Sequence, residues 1–410
     1  MINNIVIFEN ERVEDLYPFS IMHCSWELRT GMLLNFERIK LFLNNIPIYY
    51  IGREKHQNSF FKRFNIQNGI LSENNILLID GAFSMTKEVF EQIKKTISES
   101  ESDVCFMYSD KIVARFIKNP NTNYCKYDDI FEYLRSVDNS ADLIELKLGN
   151  FAEYLWDTLD SVAELIVEDI KIKKHFSYYY QPGYHGVLAV EPNNIYIGQN
   201  VKISQTVYLD ASEGPIVIGD NVTIMSQASI IGPVYIGENS IIKIGAKIYG
   251  KNLIGPWCKV GGELENTIIH GYSNKQHEGF LGHSYICEWV NLGADTNNSD
   301  LKNTYSNIKM RLPHKTVDTG RIFLGLMCGD HTKTAINTQF NTGTIAGISS
   351  ILFESGFLST TIPSFCWGGG KNSKKYKLEE SLETAKIVMA RRNKQLTDEE
   401  ITLLNIEYNK

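Results

Sequence analysis

Aliphatic residues recur at every sixth position through much of the second half of the chain. Ile197, Ile203 and Leu209 open the series. After a three-residue slip it resumes at Ile218, Ile224, Ile230, Ile236, Ile242, Ile248, Ile254 and Val260. With about one residue in four aliphatic, such an unbroken run arises on the order of once in 10⁵ starting points. A continuous helix repeats near 3.6 residues and a strand near 2, so neither gives a period of six. A short fixed period marks a solenoid.

Each six-residue unit reads as one short strand followed by a corner. The aliphatic side chain points inward, and stacked coils bury a continuous apolar column. Corners demand unusual backbone angles, which suits Gly198, Asn200, Gly219, Asn221, Gly237 and Asn239. The period returns at Phe280, Ile286 and Leu292, and at double spacing at Leu324, Ile336 and Ile348. Between these runs, Asn297 to Thr316 breaks the pattern and contains Pro313, so it reads as a loop extruded from a coil. The expected fold is a left-handed parallel β-helix of the hexapeptide-repeat type over residues 191–370. Residues 371–410 read as a helical extension, with a helix from Leu378 to Arg392.

The first 190 residues follow a different rule. Short apolar runs at Ile5–Phe8, Ile46–Ile51, Ile76–Ile79, Val104–Tyr108 and Lys111–Ile117 read as strands. Helical spacing occurs at Trp26–Leu43, Thr86–Ser98, Asp128–Val137 and Gly149–Lys173. This alternation predicts an α/β domain with a mainly parallel sheet. At 410 residues the chain is long enough for two or three domains.

The densest polar stretch is Tyr272-Ser273-Asn274-Lys275-Gln276-His277-Glu278-Gly279-Phe280-Leu281-Gly282-His283, followed by Asn291-Leu292-Gly293-Ala294. Acyl transfer to an amine needs a general base with a pKa near neutrality, which favours histidine. It also needs donors for an oxyanion, and β-helix corners present backbone N–H groups. The stretch resembles the acetyltransferase domain of bifunctional UDP-N-acetylglucosamine pyrophosphorylase/glucosamine-1-phosphate N-acetyltransferases. The resemblance implies that His277 is the catalytic base and that Asn291 contacts acyl acceptor or cofactor. It matches the family's Asn-Tyr pair to Asn303 and Tyr305, and it puts Asn274 and Lys275 beside the substrates. Phe280 stands where the family has tyrosine. His283, Asp330 and His331 are further candidates for the same cleft, each with a structural role as the alternative.

Before residue 190 the chain resembles a divergent branch of sugar nucleotidyltransferases. There Leu-x-Pro precedes Glu-Leu-Arg-x-Gly, as in Leu16-Tyr17-Pro18 and Glu27-Leu28-Arg29-Thr30-Gly31 here. No glycine-rich phosphate loop is present between Phe8 and Phe19, and His23-Cys24 stand where that branch often has arginine. The resemblance implies nucleotide binding at Arg29 and Gly31. Asp80 ends a predicted strand, where α/β proteins bind ligands, and is a candidate Mg²⁺ ligand.

The whole chain thus suggests a nucleotidyltransferase fused to an acetyl-CoA-dependent acetyltransferase. It would use a nucleoside triphosphate, a sugar 1-phosphate, acetyl-CoA and Mg²⁺, and the resemblance implies a homotrimer. Retention of only one activity, or a scaffold role, are the alternatives. The net charge of −7 argues against general nucleic-acid or membrane-surface binding. Seven scattered cysteines without a C-x-x-C spacing fit a reducing cytoplasm better than a disulfide framework. The N-terminus lacks the pattern of a signal peptide, and no apolar run is long enough to span a membrane.

Overall fold

The computed structural model describes residues 1–43, 46–68, 75–118, 142–172 and 184–410, together with Pro120 and Ile130. In the N-terminal domain, strands β1 (Asn4–Phe8), β2 (Ile48–Ile51), β3 (Ile76–Asp80), β5 (Val104–Tyr108), β6 (Lys111–Ile117) and β7 (Asp142–Glu145) form one sheet. Its order is β2-β1-β3-β6-β5-β7, and a small separate pair joins β4 (Phe83–Ser84) to β8 (Asn150–Phe151). β1 runs parallel to β2 and β3, whereas β6 is antiparallel to β3 and β5. Every residue of β1 and β3 is buried, as expected of strands covered on both faces.

Helices α1 (Asn35–Phe42), α2 (Glu54–Phe64), α3 (Lys87–Glu99) and α4 (Val162–Ile172) accompany the sheet. Thr86 caps α3 by accepting from the Val89 N–H, and Val89, Phe90, Ile93 and Ile97 form its buried stripe.

Several expected helices differ from those observed. Trp26–Leu43 is helical only from Asn35. Ahead of it lie a 3₁₀ turn at Ser25–Glu27 and a tight reversal bridging Arg29 to Leu34. Gly31 stands so close to Asp169 that a Cβ there would lie 2.4 Å from its carboxylate. Gly149–Lys173 divides into β8, a 3₁₀ helix (Leu155–Ser161) and α4. The polar start of α2 hid it, since only Ser59 and Phe60 are buried. Asp128–Val137 lies outside the described residues apart from Ile130.

The C-terminal half is a three-sided left-handed β-helix. Its first face stacks nine strands, from Ile195–Ile197 to Thr361–Ile362. The second begins at Lys202–Ile203, and the third runs from Leu188–Val190 to Phe280–Gly282 and continues through Asn297–Asn298. Parallel registers place Ile197, Ile218, Ile236, Ile254 and Ile269 directly above one another. From Ile218 to Val260 the period-six column is buried throughout. At ~1.5–3 kcal/mol per fully buried aliphatic, this column is the main stabilising feature of the prism. Asn200, Asn221 and Asn239 turn corners with φ near +60°. Gly198, Gly219 and Gly237 are needed for a different reason: a Cβ on any of them would collide with the next coil.

Beyond Val260, Ile286 and Leu292 face inward as expected, but the phase differs elsewhere. Leu281, not Phe280, faces inward, because Leu281 pairs with Leu264 while Phe280 pairs with Glu263. The later inward series is Cys328, Phe340, Ala346, Leu352 and Leu358, and Ile336 is 70% exposed. Leu324 and Ile348 are buried, but on the outside of the prism, against the N-terminal domain and the C-terminal helices.

The two domains share one core. Leu16, Phe19, Leu28, Trp156 and Ile166 pack on the outer surface of the first face, through Val217, Tyr235, Leu253, Ile268, Tyr285, Met327 and Ile345. The extruded segment forms a hairpin, Lys309–Arg311 with Thr316–Asp318, and clasps the N-terminal domain. Ile308, Met310 and Leu312 join the shared core, Lys315 pairs with Asp15 at 2.7 Å, and Arg321 pairs with Asp157 and Asp160. Helices α5 (Leu378–Ala390) and α6 (Asp398–Tyr408) replace the single expected helix, and Leu403 and Leu404 pack with Ile21, Met22 and Phe365. No helix among the described residues is long and apolar enough to cross a membrane.

Candidate active site

The sequence-derived candidates distribute over three edges of the prism. His277 lies between the second-face strand Asn274–Lys275 and the third-face strand Phe280–Gly282. His283, Asn303 and Tyr305 lie on the third-to-first edge, where the clasp leaves the coil. Asp330 and His331 lie on the first-to-second edge, between Leu326–Cys328 and Lys333–Thr334. A single chain therefore does not gather them in one cleft, and the grouping of Asp330 and His331 with His277 is corrected. The physical reason is the prism: residues at successive corners point about a third of a turn apart.

The His277 edge has a specific construction. Lys275 occupies the inward slot below Val260, where an aliphatic is otherwise the rule. Its side chain is buried inside the prism rather than beside the substrates as expected, and its Nζ donates to the carbonyl oxygens of His277 and Glu278. Burial pushes its pKa down to about 8. Gly279 adopts φ +118°, and a Cβ there would meet Thr296 O at 2.3 Å. The Phe280 N–H donates to Asn297 Oδ1 at 2.8 Å. The backbone of residues 276–279 is thus held from inside, while the imidazole of His277 stays exposed. One coil apart, Asn274 Nδ2 donates to Asn291 Oδ1 at 3.3 Å, and Asn274 Oδ1 is buried without a donor among the described residues.

The other two edges are differently occupied. His283 pairs with Asp300 at 2.8 Å and stacks on Phe323, fixing the base of the clasp. Tyr305 is 71% exposed on the outer loop. His331 is buried and stacked along Trp289, and burial pushes its pKa down to about 3. Asp330 Oδ1 accepts from His23 Nε2 at 2.9 Å and from the Glu288 N–H at 3.0 Å. Sequence reasoning missed His23, Glu27 and Arg63, which complete this buried cluster. Burial works against the charge of His23, yet Asp330 and Glu27 outweigh it and raise its pKa to about 10.

In the N-terminal domain, the carboxyl ends of β1, β2 and β3 bring together Glu9, Arg53 and Asp80. Glu9 accepts from the Ser25 N–H and from Arg53, which lays the segment before Trp26 across the strand ends. Asp80 does end its strand as expected, but its oxygens accept from Asn10 Nδ2 at 2.8 Å and Ala82 N–H at 2.9 Å. Burial raises its pKa to about 7. An acid so enclosed does not fit a Mg²⁺ ligand, and no step is assigned to a metal there. Arg29 is not at a helix start. It is buried in the domain seam, donating to His270 O and Met32 O, each at 2.8 Å. An open cleft of about 720 Å³ lies instead where the domains meet the C-terminal helices, bordered by Arg53, His56, Lys374, Lys375 and Lys410.

Residues 5–175 match the family described as sugar nucleotidyl transferase, and residues 215–250 match the bacterial transferase hexapeptide repeats. A bifunctional sugar-1-phosphate nucleotidylyltransferase/acetyltransferase of Sulfurisphaera tokodaii is 34% identical over 97 residues, 24% of this chain and 23% of that protein. The chain therefore spans under a quarter of that relative. The uncharacterized acetyltransferase YaiX of Escherichia coli is 32% identical over 168 residues, 40% of this chain and 73% of YaiX. A solved UDP-N-acetylglucosamine acyltransferase, LpxA of Bacteroides fragilis, aligns over 55% of this chain and 96% of its own, at 16% identity and a TM-score of 0.30. The chain belongs to the YaiX family of hexapeptide-repeat transferases, and carries a sugar nucleotidyl transferase domain ahead of its repeats.

Proposed function

We propose that the β-helix transfers an acetyl group from acetyl-CoA to the amine of an amino-sugar phosphate, with His277 as general base. The observation that carries this reading is an exposed imidazole on an edge whose backbone is locked from within by Lys275. The amine nitrogen attacks the thioester carbonyl, His277 accepts the amine proton, and the carbon–sulfur bond breaks to release coenzyme A. Asn274 and Asn291, bonded to each other on the second face just ahead of this edge, would offer amides to the acceptor. Exposed Ile244, Ile336, Phe353 and Phe357 follow the same edge, which supports a homotrimer in which a neighbouring prism completes each site. Following free thiol with glucosamine 1-phosphate and acetyl-CoA tests the proposal. His277→Ala should lower the rate by about 10² or more with folding unchanged. Near-parental thiol release in that variant would remove His277 from the mechanism.

The N-terminal domain supports a second activity: joining a sugar 1-phosphate to a nucleoside triphosphate with release of pyrophosphate. Arg53, Lys374, Lys375 and Lys410 border the 720 Å³ cleft beside Glu14 and Glu407, and this cationic majority favours phosphate binding there. Together the two steps would make a nucleotide sugar such as UDP-N-acetylglucosamine for the cell envelope. Pyrophosphate release from UTP and N-acetylglucosamine 1-phosphate is the test. Silence over a panel of sugars and nucleotides would leave acetyl transfer as the sole activity.

A further inference from the structure

At the seam between the two domains, three metal-ligating side chains meet without entering either proposed reaction. One ligand atom each from His23, Glu288 and Asp330 lies within 4.8 Å of the others. His23 comes from the N-terminal domain, whereas Glu288 and Asp330 stand on adjacent coils of the β-helix, at its first-to-second edge.

The cluster differs from the acidic patches that occur on any surface. The side chains of His23 and Asp330 are each 3% exposed. Asp330 Oδ1 is fully engaged by His23 Nε2 and the Glu288 N–H. Asp330 Oδ2 is buried with no hydrogen-bond partner among the described residues. A buried carboxylate oxygen without a donor is costly, and calls for an ion or a water.

Charge gives an independent reason. The linked group holds four carboxylates, Glu27, Glu288, Asp330 and Glu400, against two cations, Arg63 and a protonated His23. A surplus of buried negative charge is destabilising unless neutralised. A divalent cation that takes the place of the His23 Nε2 proton halves that surplus, from two charges to one.

We propose that His23, Glu288 and Asp330 bind a divalent transition-metal ion of the zinc type, which cross-links the two domains. One imidazole and two carboxylates suit zinc, whose bonds of roughly 2.0–2.2 Å set ligand atoms a little over 3 Å apart. His23 and Asp330 already stand at 2.9 Å. Glu288 must close in, and among the described residues its carboxylate makes a 3.7 Å approach to His270. Behind the ring, Arg63 Nη2 stands 3.3 Å and Glu27 3.5 Å from His23 Nδ1, and together they fix its orientation.

The test uses the full chain, stripped with chelator and dialysed, then titrated with Zn²⁺ and with Co²⁺ as a spectroscopic substitute. One equivalent per chain is expected, with visible cobalt bands, their displacement by zinc, and a higher melting temperature on loading. Asp330→Asn and Glu288→Gln should each lower affinity at least tenfold, and circular dichroism checks that each variant folds. Glu288→Gln is the safer variant because its side chain is the most exposed of the three. Binding well below one equivalent, or unchanged affinity in a folded Glu288→Gln protein, overturns the proposal. Neither outcome bears on thiol release at His277, so the two readings fail separately.

Discussion

Lys275 places an ammonium group where the β-helix otherwise stacks aliphatic side chains. In the folded protein its pKa falls from 10.5 to about 8, chiefly because burial disfavours the charged form. The unfolded chain therefore binds more protons between these values, and this group's contribution to stability rises with pH there. The full shift corresponds to about 3 kcal/mol at ~1.36 kcal/mol per unit. Between about pH 7 and about pH 9.5, linkage gives a gain of about 2 kcal/mol from this one residue. Lys275→Met keeps the length of the side chain and removes the titration. Urea unfolding of parent and variant at several pH values isolates the effect. Other groups, including the buried Lys333, titrate in both proteins and cancel in the difference. The parent should gain on the variant by about 2 kcal/mol over that range. A flat difference would refute the reading of Lys275 as a buried charge. The variant should also lose acetyl transfer in part, because the carbonyls of His277 and Glu278 lose their common donor.

Asp169→Asn breaks a fully buried pair in which Asp169 accepts from Arg38 Nε and Nη2 at 2.7 and 2.9 Å. It should cost about 3–5 kcal/mol in urea unfolding, and a cost under 1 kcal/mol would contradict the burial assigned to the pair. Arg29→Ala removes the donors to His270 O and Met32 O. It should loosen the domain seam by about 3 kcal/mol, seen as faster proteolysis between the domains; unchanged proteolysis would count against that role. Ile336→Asp puts a charge on the exposed ridge two coils along the edge from His277, and sedimentation should show a trimeric parent giving way to smaller species. A monomeric parent would end the proposal of a shared site.

The His277 loop was legible in the sequence because its features are local. A lysine, a histidine and a glycine stand within five positions of one another, and one coil brings them into contact. Beyond Val260 the inward phase was legible at Ile286 and Leu292 but not at the other expected positions. Ile254 stacks on Ile269 and Ile269 on Ile286, separations of fifteen and seventeen residues, where the two coils just before use eighteen. Each shortened coil shifts the phase. Outward residues such as Leu324 and Ile348 then imitate a column, because other parts of the chain cover them. The helix expected from Trp26 failed for a similar reason. Its apolar residues serve two partners, the N-terminal sheet through Trp26 and the β-helix through Leu28.

The sequence by itself determined that residues from Ile197 to Val260 wind as a prism, since a six-residue period buries its own column whatever surrounds it. It also determined that an α/β domain precedes the prism. Only the tertiary structure decided which edge carries each histidine, because an edge depends on the summed length of every coil before it. The structure alone also set His23 against Asp330, across 307 residues of chain. Such a contact has no local period, and it forms only when the N-terminal domain docks on the first face.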